Sequence, residues 1–292
     1  MSFFCISPFF LYYATANSYM NQPAVEKMLC PLYYLYRRNC SESANSQEEL
    51  SMEIQNHFSQ RPLTCSLKHR FIGRQGDIYE KEEPVLCEHS MHVLVNDLLR
   101  MDFVCLPQFL PELILGHLVT EGYIHQANEV ESLYISSDGS DAAVKIKKLN
   151  SPDPMPDVIP APWKAEWVFA LADRFSRGMP VHEQTCATHS CFLARKNELL
   201  FQCEDIGRHN AIDKSIGFAL IHNIDLQKCL LYSSGRMPAD MAAKAIRAGI
   251  PVMASKGAPT ASAVELARKH KLTLLCAARK DRMKLYAEPT QE

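Results

Sequence analysis

From residue 165 onward, short apolar runs alternate with amphipathic helical stretches, and this alternation limits the fold more than any other feature. Ala165 to Ser176 places Trp167, Val168, Leu171 and Phe175 on one side of a helix. Thr188 to Ala194 and Leu199 to Cys203 read as a hairpin turning at Lys196-Asn197. Asn210 to His222 is helical, Cys229 to Ser233 a strand, and Pro238 to Ala248 a helix with Pro at its start and Gly249 beyond its end. Pro251 to Ala254 is a strand, Thr260 to His270 a helix and Leu272 to Ala277 a strand. Such alternation with short loops predicts a three-layer α/β domain around a largely parallel sheet.

In an open α/β sheet, ligands bind beyond the carboxyl ends of the strands, where helix N-termini offer free N–H groups. The loops at that edge here run Glu204 to Asn210, Ser233 to Arg236, Ser255 to Pro259, and Ala278 to Arg282. Each brings a Lys or Arg, and three hold a Gly that lets backbone approach a ligand closely. Arg grips phosphate through two parallel hydrogen bonds and Lys acts as a point charge, so a phosphorylated ligand, above all a nucleotide, is expected. The G-x-x-x-x-G-K-[ST] loop is absent and no G-x-G-x-x-G follows a strand, which argues against ATP hydrolysis and dinucleotide redox chemistry. A formal net charge of -2 excludes a broadly basic nucleic-acid surface and makes any anion site local.

Upstream the pattern is less regular. Phe71 to Val104 reads as strands joined by turns, Glu112 to Thr120 as a helix opened by Pro111, and Val130 to Ile135 with Ala143 to Ile146 as a strand pair. Five prolines between Ser151 and Pro162 rule out a lasting helix or central strand there. The expected organisation is a leader over 1–65, an α+β domain over 66–150, a connection over 151–164 and the α/β domain over 165–292. Within the leader, Phe3 to Tyr13 is apolar and Ala14-Thr15-Ala16 mimics a cleavage site, but no Lys or Arg precedes the run and it is too short to span a bilayer. A disordered leader or a start at Met20 or Met52 is the plainer reading. Eleven cysteines without one C-x-x-C pair suit reduced thiols in a cytoplasmic, non-membrane protein.

The run Glu204-Asp205-Ile206-Gly207-Arg208-His209-Asn210-Ala211-Ile212-Asp213-Lys214 resembles the signature of the formate dehydrogenase accessory sulfurtransferase (FdhD) family. Ser234-Gly235-Arg236, Ala248 to Val252, Ala258-Pro259-Thr260 and Asp281-Arg282-Met283 follow in that family's order, and Glu82-Glu83-Pro84 and Leu115 to Ile124 resemble its N-terminal domain. The resemblance implies a cytoplasmic homodimer whose larger domain is similar in fold to cytidine deaminases. It implies sulfur taken as a persulfide from a cysteine desulfurase and passed to the molybdenum or tungsten bis-guanine-dinucleotide cofactor of formate dehydrogenase, with GDP as a mimic. The cofactor-binding residues it points to, with the loops above, are Arg208, His209, Asn210, Asp213, Lys214, Ser234, Gly235, Arg236, Lys256, Gly257, Pro259, Ala277, Ala278, Arg279, Lys280, Asp281 and Arg282.

One departure bears on the chemistry. The family's C-G-x-C-G loop belongs between Lys148 and Trp163, where this chain reads Leu149-Asn150-Ser151-Pro152-Asp153-Pro154-Met155-Pro156-Asp157. A persulfide needs a thiolate, and none stands there. Cys186, where relatives carry a glycine in T-G-G-x-H, is the substitute candidate. The competing expectation is that Cys186, Cys191, Cys203, Cys229 and Cys276 sit on strands as small buried hydrophobes. His182, Cys186, His189 and Cys191 match no standard zinc spacing, and the deaminase motifs H-x-E and P-C-x-x-C are missing. Two classes follow: a sulfurtransferase with a displaced cysteine or using a partner's persulfide, and a cofactor-binding chaperone that carries no sulfur.

Overall fold

Alternating burial builds the first sheet. In β4 (His89–Val95), Met91, Val93 and Val95 point inward while the residues between them face solvent. Asn96 and Asp97, at φ 51° and 61°, are the paired left-handed centre of a turn closed by Leu98 N–H on Val95 O (3.0 Å), and this three-residue loop leads into β5 (Leu99–Cys105). The computed structural model describes residues 52–149, 151 and 154–289. Most of the expected leader therefore lies outside the described residues, but its end does not. β1 (Glu53–Asn56) pairs parallel with β6 (Val130–Ile135), which pairs with β7 (Asp141–Ile146), giving a five-stranded sheet in the order β1-β6-β7-β4-β5. β2 (Thr64–Ile72) and β3 (Ile78–Leu86) form a separate, largely exposed hairpin. The described fold thus includes a strand ahead of residue 66, one too short and too polar to announce itself.

The second sheet runs β13-β12-β11-β10-β8-β9, from β8 (His189–Arg195), β9 (Glu198–Asp205), β10 (Leu230–Ser233), β11 (Val252–Ser255), β12 (Thr273–Cys276) and β13 (Lys284–Ala287). Only the central β10, β11 and β12 are mutually parallel; β8, β9 and β13 pair antiparallel, so the sheet is mixed rather than largely parallel. Every residue of the three central strands is buried. Leu231, Met253 and Leu274 face one core with Ile212, Met241 and Ala263, while Tyr232, Ala254 and Leu275 face another with Val168 and Leu171. Those partners come from α4 (Arg208–Ile221), α5 (Ala239–Arg247) and α6 (Ala261–Lys269) on one side and α2 (Ala165–Ser176) on the other. The three layers are present.

The regions before and after the proline-rich stretch share one core, in which Leu113, Val93 and Leu133 join Ile212 and Leu231. Its crossing point is α1 (Leu110–Glu121) on α4. A Cβ on Gly116 would lie 1.8 Å from the Asp213 carbonyl oxygen, and one on Gly217 would lie 1.9 Å from that of Glu112. The two backbones touch because each helix offers the other a glycine.

Candidate functional site

The sheet topology brings the predicted loops to one edge. Loops leaving β10, β11 and β12 sit beside the end of β9 and the start of β8, because Ser233 lies across from Cys191 and His189 from Asp205. Buried serines tie them together: Gly235 N–H donates to Ser233 Oγ (3.2 Å), Ser255 Oγ donates to the Gly235 carbonyl, and Gly257 N–H donates to Ser255 Oγ (3.0 Å). Lys256 N–H reaches Ser233 O at 2.9 Å, Ala277 N–H reaches Gly257 O at 2.8 Å, and Ser190 N–H reaches Ser234 Oγ at 2.9 Å. Pro259 belongs to this frame, bridging to Met237 beside the 3.0 Å bond from Thr260 N–H to Met237 O. A Cβ on Gly257 would stand 2.5 Å from Gly235 O, and one on Gly235 would stand 2.9 Å from Arg208 Cδ. Glycine suits both because the loops pack against each other and against the aliphatic stem of Arg208.

Positive charge converges here. Burial pushes the His189 imidazole below its usual value, and the charges of Arg208, His182, Arg236 and His209 push it further down. The Lys256 ammonium lies 4.8 Å from the centre of the Phe175 ring. Among the described residues, Arg208 Nε is one of two buried side-chain nitrogens without a hydrogen-bond partner, an unmet donor at this edge. A cleft of about 330 Å³ is lined by Phe175, His182, Cys186, Thr188, His189, Ser234 and Lys256. Arg279, Lys280, Asp281 and Arg282 are exposed on the same edge, while Ala278 is buried and accepts from the Tyr232 hydroxyl at 2.9 Å.

Four expected contacts are taken by the protein itself. Lys214 is wholly buried, 2.5 Å from the equally buried Asp205 carboxylate and 3.2 Å from Leu106 O. Asp213 points the same way, accepting from Thr120 Oγ1 (2.8 Å), Lys244 Nζ (2.9 Å) and the His117 ring (3.0 Å). Burial alone would raise Asp213, yet Lys244 and His117 hold its carboxyl below the usual carboxylate range. Both residues leave the rim because α4 is covered on two faces and its second turn meets α1. Asn210 Nδ2 donates to Val104 O (2.8 Å) and Asp205 Oδ1 (2.9 Å), and His209 pairs with Asp240 at 2.8 Å.

Cys186 corrects the expectation of a buried strand cysteine. It is exposed, capping α3 (Pro180–Thr185) at φ 54°, a left-handed conformation that favours glycine. Glu204 places that helix: its buried carboxylate accepts the N–H groups of Val181 (2.9 Å) and His182 (2.8 Å) and the Thr188 hydroxyl (2.7 Å). Phe175 and Thr188 were not foreseen as parts of this site, and Glu204 was foreseen only as the start of its edge loop, without this role. An acidic pair closing an apolar strand was the available hint for Glu204. Cys191, Cys203, Cys229 and Cys276 are buried as expected, and burial pushes their thiols up, to about 12 for Cys203 and Cys276. The described end of the stretch standing in place of the cysteine loop lies elsewhere: Val158 N–H donates to His270 O (2.9 Å) and His270 Nδ1 to Pro156 O (3.0 Å). His270 precedes β12, so this contact is at the edge opposite the rim.

Comparison with known proteins decides the family. The FdhD/NarQ family profile matches residues 86–157 and 149–291. The chain belongs to the FdhD/NarQ family. Protein FdhD of Methanocaldococcus jannaschii is 32% identical over 235 residues, 74% of this chain and 93% of that protein. The sulfur carrier protein FdhD of Methanothermobacter thermautotrophicus is 28% identical over 227 residues, 71% of this chain and 90% of the relative. A crystal structure of a candidate formate dehydrogenase accessory protein from Desulfotalea psychrophila superposes with a TM-score of 0.70 at 28% identity, covering 78% of this chain and 98% of that one. Among the described residues no helix is long and apolar enough to cross a membrane, and no three metal-ligating side chains gather at a point.

Proposed function

We propose that this FdhD/NarQ protein is a sulfur carrier for formate dehydrogenase maturation that binds a molybdenum or tungsten bis-guanine-dinucleotide cofactor as its substrate, at the rim of the second sheet. The reading extends to a cytoplasmic homodimer that receives sulfur from a cysteine desulfurase. The observation that carries it is the convergence of Arg208, Arg236, His182 and His209 on His189, beside the unmet Arg208 Nε donor. Relatives named as sulfur carriers support the sulfur half of the reading. Arg208, Arg236 and Lys256 would hold the diphosphates, Ser234 and the glycine backbones of 235 and 257 would close around them, and Arg279 and Arg282 would extend the positive edge. The bound cofactor supplies the metal that accepts the sulfur.

Cys186 is the thiol for that rim. It is exposed, held by the α3 cap, and shares its cleft with His182, His189 and Lys256. Its thiolate would attack the outer sulfur of a donor persulfide, gaining S–SH while the donor leaves as a thiolate. The absence of any cysteine from 149–157 favours a second reading, a chaperone that cradles the cofactor and carries no sulfur. Two measurements decide. GDP should raise the melting temperature, and Arg236→Ala should weaken that shift; an unchanged melting curve with GDP removes the nucleotide site. After incubation with a cysteine desulfurase and cysteine, intact mass should show a thiol-reversible sulfur adduct. No adduct on any cysteine leaves the chaperone.

A further inference from the structure

Two more thiols meet away from the rim, at the root of the β2–β3 hairpin. Cys65 stands opposite Val85, and the 2.9 Å bond from Cys87 N–H to Leu63 O carries the same register two residues on. Residues opposite each other in an antiparallel pair share a face, as do residues two apart, so Cys65 and Cys87 are diagonal neighbours on one face. Cys65 is exposed and Cys87 half-buried. Burial pushes the Cys87 thiol up, and the neighbouring Cys65 pushes it further. Cys191 and Cys203 also face each other across β8 and β9, but both are buried. Among the described residues, Cys65 and Cys87 are the neighbouring thiols with a member open to a reagent. The hairpin itself is tied to the candidate site, because β3 packs against α3, the helix that Cys186 caps.

We propose that Cys65 and Cys87 form a sulfane-sulfur site, in which Cys65 accepts the sulfur and Cys87 retains it by hydrogen bonding. The inference rests on the sulfur-carrier reading and supplies a thiol pair where the sequence has no C-x-x-C. The Cys65 thiolate attacks the outer sulfur of a persulfide donor, R–S–SH; the donor's S–S bond breaks, R–S⁻ leaves, and Cys65 carries S–SH. No external oxidant enters, since the sulfur changes hands at one oxidation level. Cys87 keeps its proton and donates to the added sulfur. Diagonal strand neighbours have Cα atoms about 7–8 Å apart. An unstrained disulfide needs Cα atoms about 5.5–6 Å apart. Collapse to a Cys65–Cys87 disulfide with loss of HS⁻ therefore requires the hairpin to shear, which lets the persulfide persist.

The test loads the full-length chain with glutathione persulfide and maps sulfur adducts by intact and peptide mass spectrometry. One added sulfur is expected on the Cys65 peptide in the wild type and in Cys186→Ser, and none on that peptide in Cys65→Ser. Cys87→Ala should load but release sulfide several-fold faster than the wild type, and Cys87→Ser, which keeps a donor, should recover much of the retention. An adduct confined to Cys186, with Cys65→Ser loading like the wild type, overturns the pair and leaves the sulfur-carrier reading standing. No adduct on any cysteine in any variant removes both. Equal release from the wild type and Cys87→Ala overturns the retaining role of Cys87.

Discussion

Two turns of one helix carry the same kinds of residue to opposite ends. In the first turn of α4, Arg208 stands at the rim among cations with its Nε unmatched, while His209 beside it is answered by Asp240. In the second, Asp213 and Lys214 are buried and each is matched, Lys214 by Asp205 and Asp213 by Lys244, His117 and Thr120. A charge buried with its partner contributes to holding the fold, whereas a cluster of one sign at a surface invites a ligand. On the proposed reading, the signature run therefore splits into a binding half and a structural half. The widest test of that division is Lys214→Ala. It strands the Asp205 carboxylate in the interior, and urea unfolding should show a loss of about 3–5 kcal/mol. A loss under about 1 kcal/mol, as at an exposed pair, would return Lys214 to the surface.

The structural half also depends on how closely α1 approaches α4. Gly217→Ala sets a methyl 1.9 Å from the Glu112 carbonyl oxygen, and backbone cannot turn aside as a side chain can. Overpacking of this kind costs about 1–3 kcal/mol, and the same urea titration reads it. Gly257→Ala probes the other half: its methyl would meet Gly235 O at 2.5 Å and spread the loops. Its main effect should fall on the GDP-dependent melting shift rather than on the shift-free melting temperature.

Acid sharpens the same division. The folded Asp213 carboxyl titrates below the ordinary 3.8, so the unfolded chain takes up that proton first. The stabilisation is complete above the unfolded value and drains away as pH falls through the lower folded one. Asp213→Asn should lose stability at neutral pH and show a flatter decline on the acid side. An acid limb as steep as the wild type's would mean that other carboxylates govern it.

What could be read from the sequence was local. The hairpin at Lys196-Asn197, the helix Ala165–Ser176 and the buried runs of β10 to β12 follow from periodicity and turn chemistry within a few residues. The edge loops were legible too, because strand-loop-helix order alone says which ends of the strands they leave. Strand direction was not: β8, β9 and β13 join the sheet antiparallel through pairings that no short window contains. Asp213 and Lys214 looked like ligand contacts for the same reason. Their partners Lys244 and Asp205 lie in other elements, and a charge's partner decides whether it turns inward. Cys65 and Cys87, twenty-two positions apart, meet only once β2 and β3 are paired.

The finest distinction lies within the rim itself. Arg208 is half-buried beside Gly235 with an unmet Nε donor, whereas Arg282 is exposed and sits 4.0 Å from the Asp281 carboxylate in a loose neighbouring pair. An anion reaching Arg208 gains a donor that burial has already separated from water. An anion reaching Arg282 competes with solvent, with Asp281 and with screening ions. Arg208→Ala should therefore remove most of the GDP-induced melting shift at physiological salt. Arg282→Ala should remove a smaller part, and one that shrinks further as salt is raised. Equal losses from the two variants, with equal salt dependence, would mean that the rim attracts the nucleotide only as a diffuse positive edge, and that the packed Arg208–Gly235–Gly257 contact serves the fold.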